Sequence, residues 1–342
     1  MGSRIKGIPF YIGGRTMKTI STRVLLVVFS LIAICTCQAQ TKINEKANTV
    51  FASVQEGKEI LTTRDDFIER MSPFDRAARM KTDQVIAEDE FLAFVGRSTL
   101  AWNQDEINAV TSACQSLQPK LSNLKAELPK TLYFIKTTGK EEGNAAYTRG
   151  AAIILPEDKI LDDPVELKRL VAHELFHVLS RNNPELKDQL YAAIGFEKCD
   201  ELKFPVALVE RKITNPDAPK NDHAIRVRVG NEKVWVAPIL FSRASKYDTN
   251  QDNEFFDYLQ FAFVVIAKGD DLTEATKTYD EKKPVLVGPN NISEFYEQIG
   301  KNTNYIIHPE EILADNFALL MLNNQEAPSP EILEKIDKIL FS

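Results

Sequence analysis

The run His173-Glu174-Leu175-Phe176-His177 sets two imidazoles four residues apart with an acid beside the first. On a helix, positions i and i+4 share one face one turn apart, so both rings can offer a nitrogen to one tetrahedral metal ion. Glu174 then stands next to that ion, placed to take a proton from the water it activates. Val171-Ala172 before the run and Val178-Leu179 after it are uncharged, as a buried helix requires. A catalytic zinc ion takes three protein ligands and keeps one position for water, so a third ligand must come from elsewhere in the chain. A histidine six residues after His177 would complete one common pattern, but that position is Asn183. A glutamate is then the natural choice, and the stretch Tyr305 to Phe317 holds the best one. There Glu311 and Asp315 stand four apart on a helix expected to begin at Pro309. Glu311 can ligate zinc while Asp315 accepts a hydrogen bond from the far nitrogen of a ligating histidine, which fixes its tautomer. Glu310 is the neighbour that could replace Glu311, and Glu197 is an alternative at shorter spacing. A blander reading makes Glu311 a capping acid, because it is the third residue of its helix. Hydrolysis also needs a donor for the developing oxyanion. Tyr305 and His308, just ahead of the Glu311 helix, are the candidates.

These side chains need elements to hold them. Asp163-Pro164-Val165-Glu166 reads as a helix start with an aspartate cap, proline at the first position and a capping box completed by Glu166. The helix is predicted to reach about Asn182, where Asn183-Pro184 stops it, and a second one spans Glu185 to Ile194. Upstream, Asn103 caps a predicted amphipathic helix from Gln104 to Leu128, which Pro119 is expected to interrupt. Thr131 to Lys136 and Ala151 to Pro156 read as strands, with a turn and an extended piece from Gly143 to Gly150 between them. Ile225, Val227 and Val229 alternate with Arg226 and Arg228, and Gly230-Asn231 can turn the chain. That pattern predicts an antiparallel β insertion of about three strands over residues 205–267. Helices follow at Ser293 to Ile299, Pro309 to Asn323 and Pro330 to Leu340. The reading is of an N-terminal, mostly helical region over 40–130 and a second region over 131–342 that carries the motifs and the insertion.

Arg4, Lys6, Arg15, Lys18 and Arg23 precede an apolar run from Val24 to Cys35. As a helix that run rises roughly 18 Å, short of a hydrocarbon core about 30 Å thick, so it is not a membrane span. A basic lead, a short apolar core and small residues near Ala39 make residues 1–39 a secretory signal. Met17-Lys18 looks like a natural start, which makes 1–16 an upstream extension. The expected location is periplasmic or extracellular, and lipidation of Cys37 is the alternative ending of the signal. Lys plus Arg number 42 against 49 Asp plus Glu, a net charge of -7. Neutralising phosphates takes a cationic surface, so nucleic acid is excluded as a partner. Hydrophobic residues at 44% supply a core and exclude a disordered or fibrous chain. Cys114 and Cys199 outlast the signal and can pair in an oxidising compartment.

With H-E-x-x-H at 173–177 and E-x-x-x-D at 311–315, the chain resembles the gluzincins, the thermolysin-like branch of zinc metallopeptidases. The resemblance covers the two motifs and extends over about 131–323. It implies one Zn2+ held by His173, His177 and Glu311, a general base at Glu174 and support from Asp315. It also implies a zincin-like α+β fold with a small mixed sheet, an active-site helix and the antiparallel β insertion. An edge strand within Asn144 to Pro156 would pair with an extended peptide or protein substrate. The spacing from His177 to Glu311 is far longer than in compact gluzincins, so the insertion must lie between two helices that still meet. The expected function is peptide-bond hydrolysis by an exported zinc metallopeptidase. The rival is a non-catalytic exported binding module that retains a metal site.

Overall fold

Alternation along the strand Thr131–Thr137 sends its side chains into two cores, Leu132 and Phe134 on one face and Ile135 on the other. A computed structural model describes residues 42–250, 254–268, 271–277 and 279–342. The signal at 1–39, the extension at 1–16 and Cys37 lie outside the described residues. Those described form a mixed α+β fold with two sheets. In the first sheet, Thr131–Thr137 pairs in parallel with Asn48–Phe51 and with Ala152–Pro156. Thr99–Leu100 and Tyr147–Arg149 add antiparallel pairings. Ile153 and Leu155 repeat the division of Leu132 and Phe134, and Ala152 and Ile154 that of Ile135.

The first face packs on the two helices that carry the motifs, Pro164–Asn182 and Pro309–Met321, through residues such as Val171, Leu175, Phe176, Ile312 and Phe317. The second face packs on the N-terminal helices, through Leu61, Phe67, Ile68 and Phe91. The N-terminal region therefore shares the sheet with the motif helices.

Several sequence expectations change in detail. The helix from Gln104 ends at Leu121 and runs through Pro119 without splitting. Pro119 lies in the last turn, where Leu117 and Leu121 are each 1% exposed and anchor the backbone in the core. Asp163 caps its helix by accepting from the amides of Val165 and Glu166. Glu166 does not close a box; it pairs with Arg169 at 3.0 Å instead. The β insertion is wider than 205–267. Its antiparallel sheet starts at Phe196–Lys198, includes His223–Val229, Glu232–Ser242, Leu259–Lys268 and Val285–Val287, and ends at Ile292–Ser293. Gly230, with φ of 58°, makes the two-residue turn between the first two long strands. Ile225, Val227, Val236 and Phe263 of this sheet join the same core as the motif helices, which brings the helices together across the long insertion. Cys114 and Cys199 are both free thiols, so the pairing does not form. Among the described residues no helix is long and apolar enough to cross a membrane.

Candidate metal centre

Helices Pro164–Asn182 and Pro309–Met321 pack so that their i, i+4 pairs face each other. His173 Nε2 lies 3.1 Å from Glu311 Oε2, and His177 Nε2 lies 3.5 Å from the same oxygen. Ligand atoms of the three residues all fall within 4.8 Å of one another. A tetrahedral zinc ion with bonds of about 2.0–2.1 Å keeps its ligand atoms about 3.3 Å apart, so the observed spacing suits that ion.

The opposite ring nitrogens are held too. His173 Nδ1 donates to Asp315 Oδ1 at 2.9 Å, as expected for Asp315. His177 Nδ1 donates to Glu310 Oε1 at 3.2 Å. Carboxylates only accept, so both imidazoles carry a proton on Nδ1 and can turn Nε2 inward as a ligand. Glu310 is thus the partner of His177 and not a substitute ligand for Glu311. It also accepts from the Tyr191 hydroxyl at 2.5 Å and from the Ser180 hydroxyl. Asp315 further accepts from the Thr303 hydroxyl at 2.5 Å. Two buried atoms, His177 Nε2 and Glu174 Oε2, have no hydrogen-bond partner. A cation among the ligand atoms would satisfy the first, and a water beside it the second. The donor set and these unpaired atoms fit a zinc ion.

Loop residues that sequence reasoning did not single out complete the surroundings. Asn215 Nδ2 donates to Glu311 Oε1 at 2.5 Å. Asp217 accepts from the Thr148 amide at 2.8 Å and from its hydroxyl at 2.5 Å. Glu174, His177 and Asp217 form a second set with atoms within 4.8 Å. His177 belongs to both sets, so they are two sides of one site. Thr214-Asn215-Pro216-Asp217 has turn residues but no periodicity, and nothing in its spacing relates it to the motifs.

The charge balance follows from this crowding. Burial opposes a charged imidazole at His173, but hydrogen bonds to Asp315 and Glu311 outweigh it and push the pKa up to about 9. His177 also rises, because Asp217, Glu311 and Glu310 overcome its burial. Burial, followed by the nearby Asp217 charge, raises Glu174 above the ordinary carboxylate range. Glu311 goes the other way: despite its burial, His177 and His173 hold it well below that range.

A cleft of about 770 Å³ opens onto the centre, lined by Ala145, Leu170, Glu174, Phe256 and Tyr305 among others. The Tyr305 ring centroid is 6.4 Å from that of His173. Although the residue is 44% exposed, desolvation of its hydroxyl and the charges of Glu311, Asp217 and Glu174 raise the pKa, so it stays a donor near neutral pH. His308, the other oxyanion candidate, does not face this cleft. It caps its helix, with Nδ1 accepting from the Glu310 amide at 3.1 Å, and lines a separate cavity behind the centre. It is a structural cap, and the only candidate of the two left at the cleft is Tyr305. The proposed substrate edge also changes. Ala152–Pro156 is an inner strand, and the outer strand Tyr147–Arg149 has the Thr148 amide already bound by Asp217. The stretch facing the cleft is Asn144 to Ala146. Glu197 lies on the second sheet, paired opposite Ala224, and is no part of the centre.

No protein-family model, no curated protein and no solved structure matches the chain.

Proposed function

We propose that this chain is an exported zinc metallopeptidase of gluzincin type, with a zincin-like fold built on the first sheet and the helix Pro164–Asn182. One observation carries the reading. Two Nε2 atoms and one glutamate oxygen converge, each on a residue whose other polar atom is already held, beside a glutamate with an unpaired buried oxygen.

His173, His177 and Glu311 would hold the zinc, which supplies a polarised carbonyl and a water whose pKa falls to about 7. Asp315 and Glu310 keep both imidazoles in the ligating tautomer. Glu174 accepts a proton from the attacking water on Oε2, its unpaired oxygen, and returns it to the departing amine. Tyr305 donates to the carbonyl oxygen as negative charge builds there. The stretch Asn144 to Ala146 forms one wall of the cleft along which an extended peptide would lie. The substrate class is a peptide or protein. Export rests on the basic-apolar signal at 1–39, with lipidation of Cys37 as its alternative ending.

The test is zinc content and cleavage of casein and a broad peptide library by the wild type and Glu174→Gln. The expected result is zinc in both proteins and cleavage by the wild type alone, with the variant slower by about 10²–10⁴-fold. Zinc in both with cleavage by neither would establish the rival, a non-catalytic binding module.

A further inference from the structure

We infer that the N-terminal helical region is a permanent part of the metal centre, because its buried Asp75–Arg79 pair fixes the loop from which Asn215 orients the ligand Glu311. The inference rests on the zinc-centre reading and assigns positioning roles to residues of this chain.

The chain of contacts begins at Glu311. With Oε1 taken by Asn215 Nδ2, Oε2 is the oxygen turned to both Nε2 atoms. The Asn215 amide cannot flip without loss. A carboxylate only accepts, so the NH2 must face Glu311. The backbone amide of Asp217 only donates, and it meets Asn215 Oδ1 at 2.9 Å. Asn215 is therefore held at both ends of its side chain.

The residue before it is gripped from the N-terminal region. The Thr214 amide donates to Asp75 Oδ2 at 2.9 Å, and Arg79 Nη2 donates to the Thr214 carbonyl at 3.1 Å. The Thr214 hydroxyl donates to the Arg70 carbonyl at 2.8 Å. Arg79 also forks onto Glu142 at 2.8 and 2.6 Å, pairs with Asp75, and lies over the Phe255 ring at 4.3 Å. The Arg79 and Asp75 side chains are 1% and 0% exposed. Charge-assisted bonds in such a dry setting are strong and directional. Both polar groups that Thr214 offers along the backbone are thus committed to Asp75 and Arg79. A detachable propeptide would take those partners away, and with them the helices that cover Ile135 and Ile154 on the second face of the sheet.

The experiment is a zinc competition titration on the full mature chain for wild type, Asn215→Ala, Asp75→Asn and the double variant, with urea midpoints measured alongside. Asn215→Ala is expected to weaken zinc by about 10–100-fold, the range for removing an outer partner of a ligand. Asp75→Asn is expected to weaken it less, and the double variant to match Asn215→Ala, because Asp75 acts through Asn215. Unchanged affinity in Asn215→Ala, or fully additive losses in the double variant, overturns the inference while leaving the zinc centre in place. A wild type that takes up no zinc overturns both. Should Asp75→Asn not fold, Arg79→Lys replaces it, since lysine has no fork to serve Glu142 and Thr214 together. Independently of any variant, N-terminal sequencing of purified active protein is expected to give a start upstream of Asp75; a start beyond Arg79 overturns the inference.

Discussion

Adjacent acids at 310 and 311 invite confusion over which one ligates, and Glu310→Gln resolves it. Glu310 is 1% exposed and accepts from His177 Nδ1, Ser180 and Tyr191. Alanine at this position would strand all of those donors, at about 1–3 kcal/mol each, which approaches the stability of a whole domain. Glutamine is the informative change. Its carbonyl can stay with His177 and Ser180, while its NH2 turns to the Tyr191 oxygen, which can accept because a hydroxyl rotates. What is lost is the charge. A hydrogen bond to a charged group contributes about 1.5–3 kcal/mol and a neutral one about 0.5–1.5, a difference of about 1–1.5. Since about 1.4 kcal/mol is tenfold, zinc affinity should fall by about tenfold. Glu311→Gln replaces an anionic member of the ligand set itself and should lose far more. Competition with a chromogenic chelator near neutral pH measures both. The assignment is refuted if Glu310→Gln loses zinc as completely as expected for a ligand while Glu311→Gln keeps it.

Protein stripped of metal with a chelator should lose thermal stability as pH rises from about 6.5 to about 9. His173 titrates near 9 in the fold against an ordinary 6.5, and Glu174 is also raised, so the folded state holds protons that the unfolded chain releases. Zinc affinity should rise over the same window, because binding releases those protons; a thermal midpoint that climbs from pH 6.5 to 9 contradicts this. Tyr305→Phe should lower kcat by about 10²–10³-fold without changing zinc content. His308→Ala should leave kcat alone and lower the denaturation midpoint by the equivalent of about 1 kcal/mol, the usual loss for a helix cap. A kcat collapse in the His308 variant with Tyr305→Phe still active would reverse the two roles.

Periodicity made the local parts of the centre legible. One helical turn separates His173 from His177 and Glu311 from Asp315, and two such pairs on packed helices meet, which is what the structure displays. Caps and turns were legible for a similar reason: Asp163, Asn103 and Gly230 act within a few residues of themselves. Glu310 was harder. Consecutive helical residues point about 100° apart, so a neighbour of a ligand is not expected to serve the same group. Glu310 reaches the second imidazole from the side, a relation set by how the helices cross and not by spacing. Asn215, Asp217 and Arg79 lay beyond reach altogether. Arg79 finds Glu142 at a separation of 63 residues and Thr214 at 135, and no pattern of residue types announces such a pairing. The second sheet reads as narrower in the sequence because its outer members, Phe196–Lys198 and Ile292–Ser293, are too short to show alternation.

A buried ion-pair network and a metal centre both gather acids around imidazoles, and they differ in what they leave unmatched. Elsewhere in this chain a buried pair is complete: Lys136 Nζ meets both oxygens of Glu106 at 2.8 Å, so its charge is answered by a side chain. Around His173 and His177 the balance is different. Among the ion pairs of the described residues, Arg169 reaches Asp315 at 3.6 Å and Arg181 reaches Asp217 at 4.0 Å, while Glu174, Glu310 and Glu311 meet no lysine or arginine. Protonated imidazoles could neutralise part of this charge, but a proton on His177 Nε2 would still need an acceptor, and that atom has none in hydrogen-bonding geometry. Leaving a buried donor unmet costs about 1–3 kcal/mol, and leaving Glu174 Oε2 unmet adds to it. A divalent cation answers the excess of carboxylates and the inward nitrogen at once, and a water beside it answers Glu174. The carboxylates that meet no lysine or arginine, together with the histidine spacing and the inward His177 nitrogen, therefore support the proposed metal centre over a network of ion pairs.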